Sequence, residues 1–70
     1  MFTYDPINEG LEFLANRDLE KAESLFLRVM NDPYAQQDEL SQARAYLNDI
    51  RACQSGAAIL DFDHYKKIAK

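Results

Sequence analysis

Few side chains in this 70-residue sequence are of a type that does chemistry, and those few are scattered. His64 is the single histidine, with Asp61 three positions and Asp63 one position before it. A metal site or an acid–base pair needs converging groups, and residues one and three apart do not converge on one helical face as a ligand set would. His64 therefore reads as a surface histidine. Cys53, the single cysteine, has the chemistry of a nucleophile but no local activating signature beside it. A small buried cysteine near a helix end is the expected reading. The acidic clusters Asp18-Glu20-Glu23 and Asp38-Glu39 lack the central glycine and closing glutamate of a calcium loop. Gly10 and Gly56 stand alone, so no loop cradles a phosphate. With no visible set of acid, base and nucleophile, no enzymatic activity, cofactor or metal is expected.

The elements that position these residues are helices. Asp5-Pro6 is a start signal: aspartate caps, and proline at the next position has no N–H to leave unpaired. Ile7, Leu11 and Leu14 recur at helical spacing, with Phe13 and Ala15 beside them, until Asn16-Arg17-Asp18 breaks the pattern. Asp18 caps a second helix whose stripe is Leu19, Ala22, Leu25, Phe26, Val29 and Met30, with Leu27 off it. Asn31-Asp32-Pro33 ends that helix. A third helix begins between Pro33 and Glu39, with Asp32-Pro33 and Asp38 as alternative start signals. Its buried edge is Leu40, Ala43, Leu47 and Ile50, flanked by Tyr46 and Cys53. Gln54-Ser55-Gly56 stops it, with Gly56 suited to the left-handed C-terminal position. A fourth helix carries Ala58, Phe62, Tyr65 and Ala69 at helical spacing, with Ile59 and Ile68 nearby; it starts at Ala57 or at a cap on Asp61. No alternating strand pattern occurs. The expected fold is all-α: four short antiparallel helices, as two helix–turn–helix hairpins, in one domain over residues 1–70.

Composition narrows the function. Hydrophobic residues make up 47 % and charged residues 29 %, a globular rather than a disordered balance. No apolar run approaches the roughly 20 residues that span a bilayer, and the N-terminus lacks the pattern of a signal peptide, so no membrane role and a cytoplasmic location are expected. Of the net charge of −4, residues 1–40 hold nine acids against three bases, and residues 41–70 hold three acids against five bases. An acidic body repels phosphate, which disfavours nucleic acid. Lys66, Lys67 and Lys70 either complement the negative end of the last helix, the expected reading, or touch an acidic partner. One cysteine makes no internal disulfide, and a chain this short has a thin margin of stability. Homodimerisation or pairing with another chain is therefore an expectation. Tyr4, Tyr34, Tyr46 and Tyr65 either serve a protein interface or cap a small core with their hydroxyls in water.

The first two helices resemble one tetratricopeptide repeat over residues 6–33. Gly10 falls at the family's glycine, Phe13 replaces its tyrosine, Ala22 and Phe26 supply Ala-x3-Phe, and Pro33 closes the unit about one residue early. Pro6 stands where the family has tryptophan and Glu9 where it has leucine. Residues 34–70 carry a degenerate second unit, with Leu47-Asn48 for Leu-Gly and Asp61-x3-Tyr65 for Ala-x3-Phe. The resemblance implies a groove that takes a helix or peptide segment of a protein partner. Its lining would be Ile7, Leu11 and Leu14 on the first helix and Ala45, Asp49 and Ala52 on the third, although Leu11 and Leu14 read equally as ordinary core. The expected function is protein binding, as a small adaptor or chaperone. The alternative is a helical structural subunit that assembles with itself or a second small chain and has no separate ligand.

Overall fold

A computed structural model describes residues 5–69. It is all-α, with four helices: α1 over Pro6–Ala15, α2 over Leu19–Met30, α3 over Gln37–Gln54 and α4 over Phe62–Ile68. Among the described residues no helix is long and apolar enough to cross a membrane.

Each boundary has a local cause. Asp5 Oδ1 accepts hydrogen bonds from the backbone N–H of Ile7 and Asn8 at 3.1 and 3.2 Å, which satisfies donors that the first turn leaves open. Asp18 does the same for Lys21 N–H at 3.2 Å, and Asp61 for His64 N–H at 3.2 Å. Between α1 and α2 the chain reverses at Arg17, whose φ of +64° is left-handed. There Asp18 N–H donates to Phe13 O and Arg17 N–H to Leu14 O, so the last carbonyls of α1 are paired. Gly56, at φ +82°, closes α3 in the same manner: Ala57 N–H donates to Ala52 O and Gly56 N–H to Cys53 O.

Asp32-Pro33 does not open α3. The Asp32 side chain accepts from Tyr34 N–H at 2.9 Å and its carbonyl from Ala35 N–H at 3.2 Å, a local turn with proline at its second position. The helix starts instead at Gln37, behind an extended Gln36 that makes no side-chain cap. Asp38 lies in the first turn, where its charge complements the helix dipole. The fourth helix takes the later of its two expected starts, the cap on Asp61. Residues 57–61 run without helix, and of them only Leu60 turns into the core, while Ile59 is 97 % exposed. Ala58 and Ile59 thus lie outside the helical face expected for them.

The core joins the four helices. Leu14, Phe26 and Ile50 are its largest fully buried side chains, and Ile7, Leu11, Ala22, Val29, Ala43 and Leu47 surround them. α1 packs against α2, α2 against α3, and α4 lies on α1. α3 and α4 have no Cα pair within 8 Å and meet only through side chains, notably the edge-on rings of Tyr46 and Tyr65 at 6.1 Å. The tightest approach is between α1 and α2, where the Phe26 ring lies directly against Gly10 and fills the space a β-carbon would need. The Phe26 ring also stacks on Tyr46 at 5.4 Å, so one column of rings runs from α2 through α3 to α4.

Candidate protein-binding groove

The expected groove residues do not come together at the surface. Ile7, Leu11 and Leu14 are 5 %, 6 % and 0 % exposed and belong to the same buried cluster as Leu60 and Tyr65. Because α4 lies on α1, the apolar stripe of α1 is spent inside the chain. On α3, Ala45 and Asp49 are exposed and Ala52 is half-buried, and α1 barely approaches α3. Asp49 instead sits 3.5 Å from the Tyr65 hydroxyl, a long separation for an O–H donor.

A groove does exist, on the opposite side of the α1–α2 pair. In α1 the offsets of three and seven put Pro6, Glu9 and Phe13 in one row. In α2 Lys21, Leu25 and Arg28 keep the same rhythm, and the capping Asp18 and the turn residue Asp32 flank them to complete the facing row. Between them lies an open cleft of about 490 Å³ lined by Phe13, Leu25, Ser24 and the charged residues around them. It adjoins a second hollow of about 230 Å³ that extends past Pro6 and Val29 to Glu39 on α3, and Leu25 and Arg28 line both. Leu25, 7 % exposed, is a buried residue at the edge of the core, and it lines both hollows as their floor. Phe13 is half-buried beside it.

The rim is charged and unbalanced. Five carboxylates (Glu9, Asp18, Glu20, Asp32 and Glu39) face two cations, Lys21 and Arg28, an excess of three negative charges. Asp18 is 3.7 Å from Lys21 Nζ, and Asp32 is engaged in its turn. Among the described residues Glu9, Glu20, Glu39 and Arg28 have no ion-pair partner within 4.0 Å. Sequence reasoning placed Leu25 on the buried stripe, where the structure also has it, but did not find the groove that lies over it. The available signal was the width of the α2 stripe, which exceeds what one seam can bury.

The other singled-out residues fall elsewhere. His64 is exposed, its ring edge-on to Tyr65 at 5.8 Å, and Cys53 is a half-buried free thiol. Among the described residues no three His, Cys, Asp or Glu side chains are grouped to hold a metal ion. Tyr46 and Tyr65 cap the core, Tyr34 is 91 % exposed, and Tyr4 lies outside the described residues. Arg17 places its guanidinium 5.2 Å from the centroid of the Phe62 ring and so ties the α1–α2 turn to α4.

Burial holds the Tyr65 phenol above the ordinary tyrosine value of 10.0, and the Asp49 carboxylate nearby adds to the shift. A raised folded value means that the neutral phenol is favoured by the fold. Its contribution to stability is complete below the unfolded value near 10 and is lost as pH rises through the folded value. The urea midpoint should therefore fall more steeply between about pH 9 and about pH 11 in the wild type than in Tyr65→Phe. Parallel slopes in the two proteins would show that Tyr65 is not the group responsible.

No family model matches the chain, and neither a curated protein nor a solved structure gives a match to it.

Proposed function

We propose that this chain is a protein-interaction module, a small adaptor or chaperone, that binds a segment of a partner protein in the α1–α2 groove. The observation that carries the reading is the pair of adjoining hollows, floored by Leu25 at the edge of the core, with Phe13 beside it and charge around it. Small recognition sites have this form, with an apolar floor for affinity and polar edges for register. The reading keeps the tetratricopeptide-like character of residues 6–33, supported by the Gly10–Phe26 approach, but puts the groove on the face opposite the one that the resemblance implies. It assigns the chain no catalytic step, and it sets the protein in the cytoplasm, where a lone Cys53 stays reduced.

Binding segments selected from a random peptide display against the full chain provide the test. Amide shifts of the labelled protein should cluster at Phe13, Ser24, Leu25 and Arg28 when such a segment is added. Shifts confined to α3 or to residues 57–61, or no selected binder at all, would sink the reading.

Self-assembly is the second reading, and one observation favours it: Ile59 and Tyr34, 97 % and 91 % exposed, are apolar surface without cover. Solution mass by light scattering, with helicity followed on dilution, separates the two. A folded monomer supports the groove, and a dimer that Ile59→Ser dissociates supports assembly.

A further inference from the structure

From the groove we infer the chemistry of its occupant: a cationic amphipathic helix of a partner protein, presenting lysine or arginine to the rim and one apolar edge to the floor. The inference rests on the groove reading above and goes further only in naming the partner.

Three observations carry it. The helical part of the row facing α1 lies in α2, Leu19–Met30, which at the helical rise is about 18 Å, the length of a partner helix of about 12 residues. The apolar floor is small, four side chains: Phe13 and Pro6 from α1, and Leu25 and Val29 from α2. It has room for the apolar edge of an amphipathic helix and not for a broad hydrophobic face. The rim carries three excess negative charges, and of its three half-buried carboxylates, Glu9, Asp18 and Glu39, only Asp18 has a cation within 4.0 Å. Half-buried carboxylates gain most from a cation that arrives as water leaves, and their field steers such a segment toward the groove. Arg28, which lines both hollows, is the exception, and it calls for one acceptor near the middle of an otherwise basic segment.

Three synthetic peptides of about 12 residues, with identical leucine positions and with lysine, glutamine or glutamate elsewhere, are titrated into the full chain by fluorescence anisotropy and amide shifts. The lysine peptide should bind at least about 10-fold more tightly than the glutamine peptide, and shift the amides of Ser24, Leu25 and Arg28. Raising salt from about 50 to about 200 mM should erode that preference. The triple variant Glu9→Gln, Glu20→Gln, Glu39→Gln should abolish it; if that variant does not fold, the salt series alone decides. Equal or tighter groove binding by the glutamine or glutamate peptide overturns the cationic partner and leaves the groove reading standing. No groove shifts with any of the three overturns both. Shifts of the same amides when the chain alone is concentrated make the occupant a second copy, which also overturns the inference.

Discussion

Leu11→Asp should unfold the protein. Leu11 is 6 % exposed, within a cluster that includes Leu14, Phe26 and Tyr65. Removing its methyl groups leaves a cavity, and the carboxylate must either stay charged without a partner or take up a proton. The combined cost is at least about 4 kcal/mol. A domain of this size has a stability toward the low end of the usual range, about 5 kcal/mol, so little folded protein should remain. The control is Ala45→Lys, at an exposed position in the middle of α3, where the change should stay within about 0.5 kcal/mol. Circular dichroism in a urea series reads both. An unchanged midpoint for Leu11→Asp would mean that the apolar stripe of α1 is open to solvent, and the groove would then belong on the α1–α3 side after all.

Gly10→Ala is a sharper test because two principles give opposite signs. Helix propensity favours alanine over glycine by about 1 kcal/mol. The new methyl, however, would overlap the Phe26 ring, which is fully buried and stacked on Tyr46. A ring held on both sides cannot step aside, and overpacking of this kind costs about 1–3 kcal/mol, occasionally more. The clash should win, with a net loss of up to about 2 kcal/mol in thermal or urea denaturation. Combining Gly10→Ala with Phe26→Leu should recover part of that loss, giving a coupling of about 1 kcal/mol or more. A rise in the midpoint of Gly10→Ala would show that the helices stand further apart than the Gly10–Phe26 contact requires.

Much of this was legible in the residues, for identifiable reasons. Capping is local, so Asp5, Asp18 and Asp61 mark three helix starts, and Gly56 marks one end. The Ala22, Phe26 and Val29 stripe reads directly as core because periodicity is a property of one helix. What failed depended on competition or on distance. Asp32-Pro33 has the same composition as Asp5-Pro6, but its side chain finds Tyr34 N–H and closes a turn instead. Arg17 carries a left-handed backbone without the glycine that would announce it. The groove was missed because the stripe of α1 was matched to a repeat in which that face stays open. Here α4 covers it, a tertiary choice that no local pattern in residues 57–69 encodes.

The seven residues of α4 are too few to hold a helix by themselves, since nucleating one costs more than so short a run of hydrogen bonds returns. Its order is borrowed from the docking of Leu60, Phe62 and Tyr65. Its backbone neighbour is α1, the helix farthest from it along the chain. Forming that contact means closing a loop of nearly the whole described sequence, whereas α1–α2 and α2–α3 close short ones. Folding should therefore run from the first two helices outward, with α4 docking late. The reverse holds in the native state. α4 should be the unit with the lowest opening free energy, its amides should exchange with solvent first, and each opening would briefly uncover the apolar stripe of α1.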